Sequence, residues 1–333
     1  MSETATLTRP QSLTTERRFG GEQVGLIAIL VLLVVALATL QPVFLSGRNL
    51  MNILLSASMN GIVAAGVTYV ILSGGLDLSV GSVVALSGTC VAMLSNAGLP
   101  PSIAIIATLL IGIFVGFVNA VFITAIGVNP LITTLGTMMA YRGLAFIISD
   151  GSAVYIGNSS LYWVGVGRVF GIPVPVIVLA LVFFVFWLIL SKTVFGRNLY
   201  VIGGNREAAR LSGVNISIYS YIIYIISAAM AALSGIILAG RMTSGQPTAA
   251  DGLELDVVTA VVLGGAALSG GVGTMVGTIL GVLILTVFRN GLLLLNVDAF
   301  YQYVASGLLL LTAVTIDQLR SRRKRKSKAH PQK

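Results

Sequence analysis

No charged residue occurs in 49–76, 78–141, 169–191, 211–240, 257–288 or 299–316. A helix that crosses a ~30 Å hydrocarbon layer needs about 20 apolar residues. Most of the stretches fit one such helix, and 78–141 has room for more. A soluble fold would have to cover its core with polar residues that this chain lacks. Of its 333 residues, 56% are hydrophobic and 9% charged, against about 25% charged in ordinary soluble domains. The sequence therefore predicts an all-α fold, a polytopic transmembrane helical bundle.

Apolar runs between breakers predict ten spans: 24–41, 50–73, 80–96, 101–126, 130–148, 172–191, 217–240, 254–269, 272–290 and 299–316. Pro42, Pro100-Pro101, Asn129-Pro130 and Pro173 punctuate the connections. The chain divides into a polar tail (1–22), a membrane domain (23–317) that includes a cytoplasmic loop (192–216), and a basic tail (318–333). The first apolar run starts near Val24, too late for a cleavable leader, and is read as a retained helix. With ten spans both termini share a side. If that side is the cytoplasm, it holds three Lys/Arg in the N-terminal tail, four in 192–216 and eight in the C-terminal tail. That makes 15 of the 20 basic residues, which is the orientation the positive-inside rule selects. The same distribution explains the net charge of +9 without nucleic acid as a partner. Cys90 is the only cysteine, so no disulfide can form within the chain.

Three polar segments interrupt this pattern. In Gly74-Gly75-Leu76-Asp77-Leu78-Ser79-Val80-Gly81, paired glycines, an acid and a serine should break one helix and start another. Asp77 or Ser79 can cap the new helix, and a lone intramembrane acid is also a candidate for the transport path or for a broken helix. In the loop 192–216, Asn205 is expected to cap a two-turn helix that closes at Gly213. Ala208, Ala209 and Leu211 should be buried there, with Arg206, Glu207 and Arg210 exposed. So short a helix gains order by docking on a partner, or else the loop only carries charge. The third segment, Arg241–Asp256, is expected to be an outer loop rich in groups that hydrogen-bond polyols. Its Ser244, Gln246, Thr248, Asp251 and Glu254 join Asp77, Ser79, Asn60, Thr68 and Asn129 as candidates for the substrate path. Gly273, Gly277 and Gly281, like Gly112 and Gly116, have small-residue spacing for close helix packing, inside one subunit or across a dimer seam.

The run Val262–Gly273 is glycine-rich but lacks the Gly-Lys-Ser/Thr ending of a phosphate-binding loop. The only histidine is His330 in the basic tail, and no metal-ligand or catalytic constellation is visible. No catalytic or cofactor site is therefore expected in this chain, and if it transports at the expense of ATP, the engine is another polypeptide.

These segments resemble the ribose/xylose/galactose-type ABC permease family, and ribose-type permeases most of all. The matching stretches are Gly75–Ser82, Gly203–Gly213, Gln246-Pro247-Thr248 with Gly252–Asp256, and Val261–Gly265 continuing to Ser269-Gly270-Gly271. They span about 24–317 in family order. Ala266-Ala267 stand where ribose permeases carry Thr-Ser, a departure that bears on the sugar and not on the family. The resemblance implies uptake of a monosaccharide, ribose-like or a related polyol or autoinducer-2. It also implies a periplasmic binding protein, a second permease copy or a related permease, and a separate ATP-binding subunit that carries ATP-Mg. Coupling to that ATPase would run through Gly204, Asn205, Glu207, Arg210 and Gly213. The rival readings are a branched-chain amino acid ABC permease and an ion-coupled secondary transporter. The second needs intramembrane charges, of which Asp77 is almost the only candidate.

Overall fold

The computed structural model describes residues 16–157 and 159–329; the rest of the N-terminal tail and His330 lie outside the described residues. The order of elements is α1 (Glu16–Leu40), α2 (Gly47–Leu72), α3 (Val80–Asn96), α4 (Pro101–Ala120) with a π-helical end (Val121–Ile126), and α5 (Pro130–Ile148). There follow β1 (Val154–Tyr155), α6 (Ser159–Val166), β2 (Arg168–Val169), β3 (Ile172–Pro173), α7 (Val174–Lys192), α8 (Val194–Gly204) and α9 (Arg206–Leu211). The chain ends with α10 (Ile216–Met242), β4 (Ser244–Gly245), α11 (Leu253–Leu263), α12 (Met275–Leu294) and α13 (Ala299–Ala329). Among the described residues, eight helices are long and apolar enough to cross a membrane. They show bare apolar surface: Leu32 is 70% exposed, Ile147 75% and Leu311 64%. Only a hydrocarbon solvent makes such surface cheap.

The expected helix 80–96 forms over its whole length as α3, just short of a full crossing, whereas 254–269 forms only in part. Each follows an irregular segment, α3 with 17 residues and α11 with 11. The expected helix 254–269 stops at Leu263. Beyond it, Gly265, Gly270, Gly271 and Gly273 all adopt positive φ, which a helix does not allow.

Helices α2 and α10 form the centre, and α10 packs on α2, α3 and α4. Glycine permits these contacts. A Cβ at Gly116 would lie 2.6 Å from the Tyr224 carbonyl, and one at Gly235 would lie 2.3 Å from that of Val84. Gly112 and Gly116 thus receive α10, and Gly277 and Gly281 receive α11. Both glycine patterns therefore serve packing inside the subunit. Two short ladders close one end of the bundle. β1 pairs with β4 (Val154 opposite Gly245), and β2 with β3 across a turn in which Phe170 and Gly171 have positive φ.

At the other end, three backbones meet. The N–H of Gly271 donates to the Leu72 carbonyl at 2.9 Å, and Gly203, from the last turn of α8, lies over both. A Cβ at Gly203 would sit 1.9 Å from that carbonyl oxygen and 2.4 Å from the Gly271 nitrogen, whereas one at Gly204 meets nothing within 4 Å. Tyr200, on the same helix, donates to the Gly273 carbonyl at 2.8 Å. Burial pushes this phenol up to about 12, so it remains a donor at any physiological pH. Gly203→Ala is expected to overpack the junction, at about 1–3 kcal/mol or more, and Gly204→Ala to be neutral. Thermal unfolding of the two purified variants in detergent checks this: equal midpoints would contradict the close approach at Gly203.

Candidate functional site

Among the described residues, 73–79 and 243–252 are places where the chain leaves helical structure inside the bundle, and the polar residues singled out above fall largely there. The first is 73–79. Gly74, at φ +80°, turns the chain out of α2. Asp77 then holds the turn into α3. Its Oδ1 accepts from the Ser79 N–H at 3.0 Å and from the Ser79 hydroxyl at 2.6 Å, and its Oδ2 accepts from the Ser227 hydroxyl of α10 at 2.7 Å. Ser79 makes no side-chain cap on α3. Asp77 is therefore bonded to the residue that precedes the helix, not to the helix's free N–H groups. It is fully buried within the protein, and its bonds go to Ser79 and Ser227.

The network extends further. Asn119 of α4 donates to the Ser79 hydroxyl at 2.9 Å, and the Tyr141 hydroxyl of α5 lies 3.2 Å from Asn119 Oδ1. The Tyr224 hydroxyl donates to the Leu76 carbonyl at 3.3 Å. Helices α10, α4 and, through Asn119, α5 are thus tied to one irregular turn. Buried polar networks are stable when every member is satisfied and costly when one is not.

The second place is 243–252, between α10 and α11. The sequence reading made it an outer loop, but the structure folds it back along the bundle. A Cβ on Gly81, in the first turn of α3, would lie 2.7 Å from the Ala250 carbonyl and 2.2 Å from Glu254 Oε2. Gly81 stands 15 residues before Asn96, where α3 reaches the β1 end, so the segment descends roughly 22 Å at 1.5 Å per residue. Arg142 of α5 makes this possible. Its guanidinium donates to the carbonyls of Pro247 at 2.8 Å and Ala249 at 2.6 Å, and reaches that of Ala250 at 3.5 Å. The N-termini of α3 and α11 therefore lie side by side deep in the bundle, a geometry that broken helices in transporters share.

Not all the expected path residues come together. Asp77 and Ser79 belong to the first turn. Gln246, Thr248, Asp251 and Glu254 belong to the second, with Gln246 donating to the Ser244 hydroxyl at 3.3 Å. Glu254 is buried and its Oε2 has no hydrogen-bond partner. Thr68 is elsewhere, 2.9 Å from the hydroxyl of Thr278. Asn60 is half-buried on α2, and Asn129 caps α5 by accepting from the Leu131 N–H at 2.9 Å.

Sequence reasoning missed Arg142 and the pair Asp256–Arg289. Arg289 of α12 meets Asp256 of α11 at 2.5 and 2.6 Å through two nitrogens, and also donates to the Ser306 hydroxyl of α13 at 3.0 Å. A lone arginine inside an apolar helix was the available signal.

The loop between α7 and α10 forms the helix expected of it. Asn205 caps α9 by accepting from the Ala208 N–H at 3.0 Å. Gly213, at φ +80°, closes it, with its N–H on the Arg210 carbonyl. Glu207 and Arg210 pair at 2.6 Å on an exposed face. The expected apolar face is smaller than predicted. Ala209 alone is buried, Ala208 is exposed, and Leu211 stands 78% exposed, because the two-turn helix touches its neighbours along one edge only.

Asp77→Asn is expected to fold. The amide oxygen can still accept from Ser79, and the amide nitrogen can donate to the Ser227 oxygen. Asp77→Ala strands the Ser79 N–H and is expected to cost about 1–3 kcal/mol. The yield of folded protein in membranes checks the order Asp, then Asn, then Ala.

Comparison with known proteins agrees with this architecture. The family model described as branched-chain amino acid transport system / permease component matches residues 49–314. The ribose import permease protein of Bacillus subtilis (strain 168) is 42% identical over 320 residues, covering 94% of this chain and 99% of that protein. That of Escherichia coli (strain K12) is 43% identical over 300 residues, covering 89% and 93%. The L-arabinose transport system permease protein of the same strain is 43% identical over 304 residues, covering 91% and 93%. No solved structure matches. The chain belongs to the family of transport-system permease components that this model describes.

Proposed function

We propose that this chain is the membrane-spanning permease subunit of a bacterial ABC importer for a monosaccharide. The observation that carries the reading is the identity of 42–43%, nearly end to end, to permeases named for ribose and arabinose. The family model's description mentions branched-chain amino acids, yet the full-length relatives compared above are named for pentoses. In this reading the protein is a multi-pass component of the inner membrane that works as a dimer with itself or with a related permease. A periplasmic binding protein delivers the sugar. A separate ATPase binds ATP-Mg and supplies the energy, and this chain binds no cofactor.

The positive-inside argument places both termini and the α8–α9 loop in the cytoplasm. In that orientation α9 offers the ATPase a capped helix with an apolar knob, Leu211, beside a charge pair. Docking on a partner would bury Leu211, whose exposure on so short a helix is otherwise unfavourable.

Uptake of radiolabelled D-ribose, L-arabinose and L-leucine tests the substrate class, in cells that express the chain with its ATPase and binding protein. One of the two sugars should accumulate in an ATP-dependent way. Accumulation of leucine alone would overturn the sugar reading in favour of the amino acid one. The docking surface has its own test. An exposed ion pair contributes about 0–1 kcal/mol, so Glu207→Arg with Arg210→Glu should leave the fold intact, since the swapped pair can still form. The same swap combined with Leu211→Ser is expected to abolish uptake and release the ATPase on purification. Retention of both activities would place the coupling surface elsewhere.

A further inference from the structure

A cavity of about 310 Å³ lies between α11, α12 and α13, and we propose that it is a binding station for a neutral polyol on the transport path. This inference rests on the sugar-permease reading and adds the place where the sugar is held. The cavity runs from the start of α13, at the end of the bundle that carries the β1–β4 ladder, down to the N-terminus of α11, where the two broken passages meet. It thus joins one end of the bundle to its polar interior. Its volume is at the small end of the roughly 300–1,000 Å³ usual for small-molecule sites, which suits one sugar ring.

The lining has the chemistry of hydroxyl recognition. Each sugar hydroxyl donates once and accepts twice, so a site for a polyol needs donors and acceptors interleaved. Asp251 and Asp256 accept, Arg289 donates, and Gln302 and Ser306 do both. Tyr303 adds a ring for the C–H face of a sugar. The strongest charges are already committed. The Arg289 guanidinium is held by Asp256 through two nitrogens and by the Ser306 hydroxyl. A bidentate pair of this kind is rigid, and its two charges cancel. A cavity in which the arginine is neutralised and one further carboxylate remains offers nothing to an anion. A sugar phosphate or a free carboxylate would meet Asp251 without a free cation to compensate, whereas a neutral polyol can use the outer lone pairs of the pair and the amide oxygen of Gln302, whose nitrogen donates to the Val297 carbonyl at 2.8 Å.

The test uses the complete transporter, permease with its ATPase and binding protein, in proteoliposomes supplied with D-ribose or L-arabinose. The variants are Gln302→Leu, which removes an amide at the mouth, and Ser306→Cys in a Cys90→Ser background, which adds a thiol in the cavity for methyl methanethiosulfonate. Two readouts are taken: sugar accumulated, and ATP hydrolysis stimulated by the sugar-loaded binding protein. The proposal predicts that Gln302→Leu lowers transport tenfold or more with ATP hydrolysis within twofold of the parent. It also predicts that methyl methanethiosulfonate blocks transport by the Ser306→Cys protein and that sugar turnover slows the modification at least threefold. Transport that stays at the parent level in Gln302→Leu and in the modified Ser306→Cys protein would overturn it. If the parent moves neither sugar and moves leucine, the sugar reading itself fails, and that result is distinct from a transporting parent with indifferent variants.

Discussion

Every backbone N–H and C=O that enters hydrocarbon must find a partner inside the protein, because each unpaired group costs several kcal/mol. This bundle leaves helical structure inside itself at 73–79 and at 243–252, and the rest of the architecture is arranged around satisfying those two segments. Asp77 answers the first with a carboxylate that takes two donors from Ser79 and one from Ser227. Arg142 answers the second with a guanidinium that covers the carbonyls of Pro247, Ala249 and Ala250. The two solutions are complementary. A turn with free N–H groups recruits an acid, and a segment with free carbonyls recruits a base. Neither charge faces an opposite charge as its main partner, so each is kept by backbone and hydroxyl dipoles.

The same logic governs the end of the bundle near α8. Leu72, Gly203 and Gly271 meet backbone to backbone, with no flexible side chain between them. Leu72 ends α2 just before the Asp77 turn, and Gly271 belongs to the loop that connects α11 to α12. A displacement of α8 cannot be absorbed by side-chain rearrangement at this point, because packed backbones do not deform continuously. It must move the start of the first broken passage and the end of the second together. Helix α9, capped at Asn205, is covalently continuous with the helix that makes this contact.

The architecture was legible in the sequence to the extent that it follows from local composition. The charge-free runs mark the long helices, and Gly74-Gly75 and Asn205–Gly213 mark the first break and α9, because glycine and Asn/Asp chemistry act over a few residues. What was not legible depends on distant partners. Asp77 could be recognised as costly, yet its engagement with Ser227, 150 residues later, is invisible in a linear reading. Arg142 and Arg289 entered the sequence argument only in a count of basic residues, and such a count does not reveal which carbonyls or carboxylates they meet. The segment 243–252 looked like a polar outer loop for the same reason. Its polarity fits water equally well, and only Gly81 and Arg142 show that it lies inside. Leu211 was assigned to a buried face because helical spacing favours it, while the two-turn length of α9 leaves that face without a neighbour.

The charges of the interior also bear on what such a bundle can pass. An intramembrane charge is tolerated when it is paired or hydrogen-bonded, and here Asp256 is paired with Arg289, Arg142 is hydrogen-bonded to carbonyls, and Asp77 to N–H and hydroxyl donors. A coupling-ion site needs the opposite, a carboxylate left short of partners so that a proton or cation completes it. Asp77 has no vacancy of that kind, and Arg289 occupies Asp256. Glu254 is the exception, with one oxygen that lacks a partner, and it sits against the first turn of α3 where the N–H groups of a helix start favour negative charge. That placement gives the carboxylate a structural reason to be there without an ion. An interior of this design presents hydrogen-bonding surface with little free charge, which suits a neutral polyol whose passage is driven by another subunit better than it suits a transporter that must bind its own driving ion.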